Sequence, residues 1–241
     1  MTKKASKYFL IALSVIILDQ VIKFIVKFNM ELREEIKVIG DVVKIHFIEN
    51  KGAAFGLTVT NLANGLGFDM SEETGKLILS LFSIVAVIAI GVVLYRMADH
   101  KSPLPIFVAL IFGGAMGNII DRTFYGMWFS HMNNYDGGLF HGRVVDMFYF
   151  DIWSGYLPEF LGGGYYNLWP IFNIADSAIS IGIVVILIFQ GKFFKMDEKA
   201  RGIGVETATA AAATATAASS SAEPTPTPTP EPSEKKEEAG E

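Results

Sequence analysis

Four stretches of the chain are almost uninterruptedly apolar and separated by segments of mixed polarity: Tyr8–Phe28, Leu77–Tyr95, Leu104–Ile120 and Ile174–Phe189. Each approaches the roughly 20 helical residues that span a bilayer core. The pattern predicts a membrane protein with four spanning helices, at about 8–28, 77–95, 104–121 and 174–191. The first span is too rich in charge, with Asp19, Lys23 and Lys27, to be a cleaved signal peptide, and no small-residue cleavage site follows it.

The connections differ in kind. Arg96 and Lys101 sit in the short turn between spans two and three. Residues 29–76 and 122–173 form two longer loops. In the first, alternating Val and Ile from Ile36 to Ile48, mixed with Gly and Asn, reads as short strands rather than helix. The second holds all three tryptophans, Trp128, Trp153 and Trp169, together with many Tyr and Phe. That aromatic density suits the headgroup level of a membrane or a small folded cap.

Basic residues orient the spans. Lys3, Lys4 and Lys7 precede span one, and Lys192, Lys195, Lys199 and Arg201 follow span four. With Arg96 and Lys101 they all fall on one side, which the positive-inside rule makes cytoplasmic. Both termini are then expected in the cytoplasm and both long loops outside.

Composition changes this picture at the C-terminus. Residues 202–241 are rich in Ala, Thr, Pro and Glu and cannot bury a core, so they are expected to be a disordered tail after a membrane domain at 1–201. Seven Glu and two Lys in that tail sum to −5, which is the formal net charge of the whole chain. The body is therefore neutral, and nothing in it favours nucleic acid. The absence of cysteine excludes a disulfide framework, a Cys nucleophile and thiolate metal sites.

Carboxylates in apolar spans are costly and are candidates for function. Span three runs outward to Asp121, and span four runs inward from near Asp176, so both lie close to the outer boundary. Asp146 falls between them in the apolar run Val144-Val145-Asp146-Met147-Phe148. Three carboxylates are expected to converge at one depth. Asn118 shares a helix face with Asp121, and Asn173 with Asp176; Asn173 also fits an N-cap for span four. Gly113 and Gly117 form a small-residue face for close helix packing. Asp19 and Lys23, four apart, read as an intrahelical pair. Asp151 and Glu159 read as solvated loop charges. His131, Asp136 and His141 match no zinc spacing, and no metal or cofactor is expected.

Five short blocks resemble those of the lipoprotein signal peptidase (signal peptidase II) family. They are Leu18-Asp19-Gln20 with Lys23; Asn50-Lys51-Gly52-Ala53-Ala54-Phe55; Gly113 through Asn118 to Asp121-Arg122; Gly142-Arg143-Val144-Val145-Asp146; and Phe172-Asn173-Ile174-Ala175-Asp176-Ser177. Their order and placement match the family's four-span plan over roughly residues 8–195. The resemblance implies an aspartic endopeptidase of the bacterial cytoplasmic membrane, with its site near the outer face and lipid-modified prolipoproteins as substrates. It implies Asp146 and Asp176 as the catalytic pair, Asn118, Asp121, Arg122 and Asn173 as supporting residues, and Asn50 and Gly52 in an outer cradle. Asp19, counted from Tyr8, lies deeper than that site and is treated by the family as structural. This chain departs from the family in longer stretches between Arg122 and Gly142 and between Phe150 and Pro170, and in carrying Glu49 where many members have a basic residue. A small proton-coupled transporter using Asp19, Asp121 and Asp176 is the alternative reading.

Overall fold

The structure is a computed structural model and describes residues 3–51, 58–135, 137–152, 154–157, 164–167 and 169–202. In chain order its elements are α1 (Lys3–Asn29), β1 (Glu35–Ile39), β2 (Val43–Asn50), α2 (Val59–Gly65) and α3 (Glu72–Arg96). A 3₁₀ turn, Met97–Asp99, leads to α4 (Leu104–Ile120), a π turn (Asp121–Tyr125) and the short α5 (Gly126–Trp128). Then come β3 (Val144–Phe150), β4 (Ser154–Leu157), β5 (Gly164–Asn167) and α6 (Ile174–Arg201). Four helical segments, built on α1, α3, α4 and α6, are long and apolar enough to cross a membrane, at the four places the sequence predicts. Their outward faces carry exposed Leu10, Val21, Phe82, Val85, Ile88 and Leu187, a surface suited to hydrocarbon rather than water.

Several boundaries differ from expectation: α1 already starts at Lys3, and α6 continues to Arg201. Helix α3 starts before Leu77, because Ser71 caps it by accepting the Thr74 N–H, and Glu72 and Glu73 favour the positive end of the helix dipole. Span three does not stop at Asp121-Arg122. It widens into the π turn and ends at Trp128, because the Asp121 charge is met inside the bundle and need not mark the edge of the hydrocarbon. The first loop also holds a helix where only strands are predicted. Thr58 caps α2 by accepting the Asn61 N–H, and the bare Gly75 of α3 leaves the space that the Thr60 hydroxyl fills.

The strands β1, β2 and β3 form an antiparallel sheet in that order, with Ile48 opposite Asp146 and Asn50 opposite Val144. It closes the end of the bundle where α1 and α4 finish and α6 begins. Beneath it, Phe47, Val145 and Met147 pack on Val26, Tyr125 and Phe129. A second apolar cluster, Tyr8, Ala12, Leu94, Val108 and Ala109, holds the opposite end. The long stretch after Arg122 is thus built into the core through Tyr125 and Phe129, and β4 and β5 pair as a separate hairpin.

Close packing of α4 sets the site. A methyl on Gly117 would stand 2.6 Å from the Asp19 carboxylate, and one on Gly114 would stand 2.4 Å from the Ala175 carbonyl oxygen. The sequence pairs Gly113 with Gly117; Gly114 is the residue that seats α6. Gly114→Ala is expected to push the start of α6 away from α4 and lower turnover on the order of a hundredfold, since an ångström of misplacement costs that much. Initial rates of precursor cleavage, set against the melting temperature, separate this from unfolding.

Candidate active site

The residue at the centre of the site is Asn173, which caps α6. Its Oδ1 accepts the Asp176 N–H at 2.8 Å, and the Asp176 carboxylate accepts the Asn173 N–H at 3.4 Å, a reciprocal capping box. The Asn173 amide Nδ2 donates to Asp146 Oδ1 at 2.6 Å. One side chain therefore ties together the strand β3, which carries Asp146, and the helix start, which carries Asp176. The two sequence readings of Asn173, cap and orienting residue, are the same geometry.

Asp146 is buried, and its second oxygen accepts from Asn50 Nδ2 at 3.2 Å. Burial, and then the nearby Asp176 carboxylate, push its pKa up to about 7 despite the amide donors from Asn50 and Asn173. Asp176 is partly exposed and accepts from Asn118 Nδ2 at 2.8 Å. The orientation of the Asn118 amide is dictated by Lys23, whose ammonium can only donate and does so to Asn118 Oδ1 at 2.9 Å.

Lys23 is a hub rather than one half of an intrahelical pair. Its ammonium lies 2.9 Å from Asp19 and 2.8 Å from Asp121, and all three side chains are fully buried. Asp19 is also not deeper than the site. Helix α1 begins at Lys3, several residues before the predicted span, and Asp19 Oδ1 accepts the Ala175 N–H beside Asp176 at 2.9 Å. Asp121 accepts the Val145 N–H at 3.1 Å, which fixes the strand residue next to Asp146. Gln20 donates to Asp121 at 2.9 Å while its Oε1 accepts from the Tyr125 hydroxyl at 3.0 Å. The sequence reading singled out neither Lys23 nor Tyr125 for the site. The signal available was a lysine deep in an apolar span, which needs more than one carboxylate to offset its burial.

The other expected residues are placed as follows. Arg122 donates to Ser83 of α3 at 3.2 Å, and its charge lies within electrostatic reach of Asp121, Asp176 and Asp146. Glu49 pairs with Lys27, so this loop charge is neutralised locally. Asp151, expected to be solvated, accepts from Lys44 at 3.0 Å across the sheet edge. Gly52, Asp136, Trp153, Glu159 and residues 203–241 lie outside the described residues. Among the described residues no three of His, Asp and Glu gather as a metal site would require.

The raised pKa of Asp146 makes stability fall with pH. Between the ordinary aspartate value and about 7, the folded protein keeps a proton that the unfolded chain has lost, so folding is favoured at the acid end and weakened as pH rises through 7. Melting temperature is expected to drop from pH 5 to pH 8, and Asp146→Asn is expected to flatten that slope. An unchanged slope in the variant would assign the effect to another group.

Known proteins match over this same region. The family model described as signal peptidase (SPase) II covers residues 11–192. The chain belongs to the signal peptidase II family. A lipoprotein signal peptidase of Porphyromonas gingivalis is 38% identical over 190 residues, covering 72% of this chain and 77% of the relative. One from Listeria monocytogenes is 35% identical over 199 residues, covering 81% and 98%. A solved structure described as a bacterial membrane enzyme superposes with a TM-score of 0.51 and 28% identity, covering 78% of this chain and 88% of the other. This signal peptidase II family member is accordingly a multi-pass membrane peptidase of the aspartic type. Both of its long stretches, 123–141 and 151–169, lie inside the family match. The membership gives no support to the transporter reading, and the buried carboxylates gather at one level instead of tracing a path through the bundle.

Proposed function

We propose that this peptidase removes the signal peptide from diacylglyceryl-modified prolipoproteins, cutting on the N-terminal side of the lipidated cysteine, with Asp146 and Asp176 as its catalytic pair. The observation that carries the reading is the clamp of both carboxylates by Asn173 at the end of a four-span bundle. Two carboxylates this closely coupled do not both ionise readily and share one proton.

Asp146, held neutral near pH 7 by burial, donates a hydrogen bond to the scissile carbonyl. Asp176 is then the carboxylate that takes a proton from the attacking water. The water oxygen bonds to the carbonyl carbon, and Asp146 passes its proton to the carbonyl oxygen. In the second half Asp176 returns its proton to the departing amine as the peptide bond breaks. Asp146 recovers a proton from the hydroxyl of the collapsing intermediate, and the pair is regenerated. Asn118 and Asn173 orient the pair, while Lys23, Asp19 and Asp121 hold that frame rigid.

In this reading both termini lie in the cytoplasm and the sheet end faces outward, the orientation given by the basic clusters. Residues 1–201 form the peptidase, and residues 202–241 are a cytoplasmic tail with no part in catalysis. Substrates are lipid-modified precursors within the bacterial cytoplasmic membrane, and membrane lipids surround the bundle.

The test is a gel assay of precursor conversion in detergent, comparing a diacylglyceryl-modified precursor with the same precursor before lipid attachment. Only the modified form is expected to be cut. Equal cleavage of both would overturn the assigned substrate class while leaving the peptidase assignment standing.

A further inference from the structure

At the end of the bundle opposite the sheet, a cavity of about 660 Å³ opens between the start of α1, the turn after α3 and the last part of α6. Its wall includes Lys4, Lys7, Lys101, His100, Tyr8 and Met196. Lys4 is held by Asp99 at 2.8 Å. The Lys7 ammonium lies over the Tyr8 ring at 4.8 Å, and Lys101 is exposed at the rim.

His100 separates this cavity from an ordinary basic surface. Its side chain is nine-tenths buried. The Ser102 N–H donates to Nδ1 at 3.4 Å. The Ser102 hydroxyl oxygen already accepts the Leu104 N–H at 3.3 Å, so its proton is free to turn toward Nδ1, which is 2.9 Å away. Nδ1 is therefore the acceptor of the neutral ring, and the proton sits on Nε2. Nε2 is buried and has no hydrogen-bond partner among the described residues. An orphaned buried donor calls for an acceptor. Asp197 does not supply it, since its Oδ1 faces Nδ1 at 3.7 Å and accepts the Lys101 N–H at 2.6 Å.

We infer that this cavity binds the phosphate of an anionic phospholipid headgroup, with His100 Nε2 as the buried donor and Lys7 and Lys101 as the cations at its mouth. Phosphate oxygens meet both requirements at once, accepting from the imidazole and pairing with the ammonium groups. The apolar part of the wall, Tyr8, Ile106 and Met196, together with the exposed Phe194 beside it, suits the glycerol and the first acyl carbons. A basic pocket between spanning helices on the cytoplasmic side is a recurring form of lipid headgroup site. The orientation proposed above turns this one toward the leaflet rich in anionic lipid. The site lies at the far end of the bundle from Asp146 and Asp176 and is independent of the reaction.

The experiment is native mass spectrometry of the full-length protein in detergent, titrated with phosphatidylglycerol, phosphatidylcholine or inorganic phosphate. Phosphatidylglycerol is expected to bind about twenty-five-fold more tightly than phosphatidylcholine, at about fivefold for each of the two lysines near the headgroup. Lys7→Gln with Lys101→Gln is expected to bring the two lipids close to parity, and His100→Phe to weaken phosphatidylglycerol about fivefold. Wild-type cleavage rates in these variants check that they fold, since none touches the catalytic network. Equal binding of the two lipids by the wild type, an undiminished preference in the double lysine variant, or an undiminished phosphatidylglycerol affinity in His100→Phe would overturn the site. Inorganic phosphate binding as tightly as phosphatidylglycerol would overturn the lipid assignment in favour of a soluble phosphate. Failure of the wild type to cleave any precursor would sink the proposed function without moving these affinities.

Discussion

Asp146→Asn and Asp176→Asn are each expected to abolish cleavage of a lipidated precursor while the protein still folds. Asn is nearly isosteric with Asp, so the packing of β3 and α6 survives. What is lost is the capacity to accept and return a proton. Asp146→Asn keeps an acceptor for Asn173 Nδ2 but has no proton to give the carbonyl. Asp176→Asn leaves the α6 cap in place through Asn173 Oδ1 but cannot take a proton from water. Rates should fall by at least about a thousandfold, and the double variant should be little worse than either single one, because groups that act as a unit lose their joint effect once. Near-normal cleavage by either single variant, at matched expression, would remove that residue from the pair.

Lys23→Met is expected to have the largest effect on stability. It leaves Asp19 and Asp121 facing one another in a fully buried setting with no cation between them. Breaking a buried ion pair by removing one partner costs about 3–5 kcal/mol, chiefly as the penalty of the unpaired charge. The sign is testable by compensation. Adding Asp19→Asn and Asp121→Asn to Lys23→Met removes the stranded charges and should restore more than half of the lost stability, even though it removes more polar groups. Melting temperatures of the single and triple variants in one detergent decide the matter. A triple variant less stable than the single one would mean that the network stabilises through its hydrogen bonds and not through charge balance. Activity should not recover with stability, since Asn118 loses the donor that orients it toward Asp176.

The four spans were legible because each is a long apolar run, and a run of that length has few alternatives. The meeting of Asp146 and Asp176 followed from alternating span directions plus the motif order. Two strands of the sheet were legible from the alternation of Ile36–Ile48, whereas β3 read only as an apolar run. What escaped was whatever depends on contacts between distant segments. Lys23 and Asp19 are four apart on one helix, and that spacing alone satisfies a local reading; the third member, Asp121, is 98 residues away from Lys23 in the chain. Asp121 read as the end of a span because a charge normally marks that boundary, and only the buried ammonium lets the helix carry it further. Helix α2 is short and has no buried residue, so its sequence holds no periodic apolar stripe. The depth of Asp19 was misjudged because the count started at Tyr8, whereas the helix starts at Lys3.

The stretch from Arg122 to Gly142 begins and ends at one place in the fold. Its two ends are pinned together, since the Gly142 N–H donates to the Arg122 carbonyl at 2.9 Å. A Cβ on Gly142 would come within 2.0 Å of the Asp121 carbonyl oxygen, so only glycine permits the approach. Just beyond, Val145 is fastened to the Asp121 carboxylate, and a one-residue slip of β3 would turn Asp146 to the wrong face of the sheet. Between the pins, Tyr125 and Phe129 pack into the core, and the chain otherwise leaves and returns to the same place. Closing a longer excursion costs little, about 0.6 kcal/mol for each doubling of its length. The knot at Arg122 and Gly142 thus insulates the register of β3 at Asp146 from length changes in the loop. Within one family, this is a place where a lineage can lengthen the chain and build a new surface without rebuilding the chemistry beneath it.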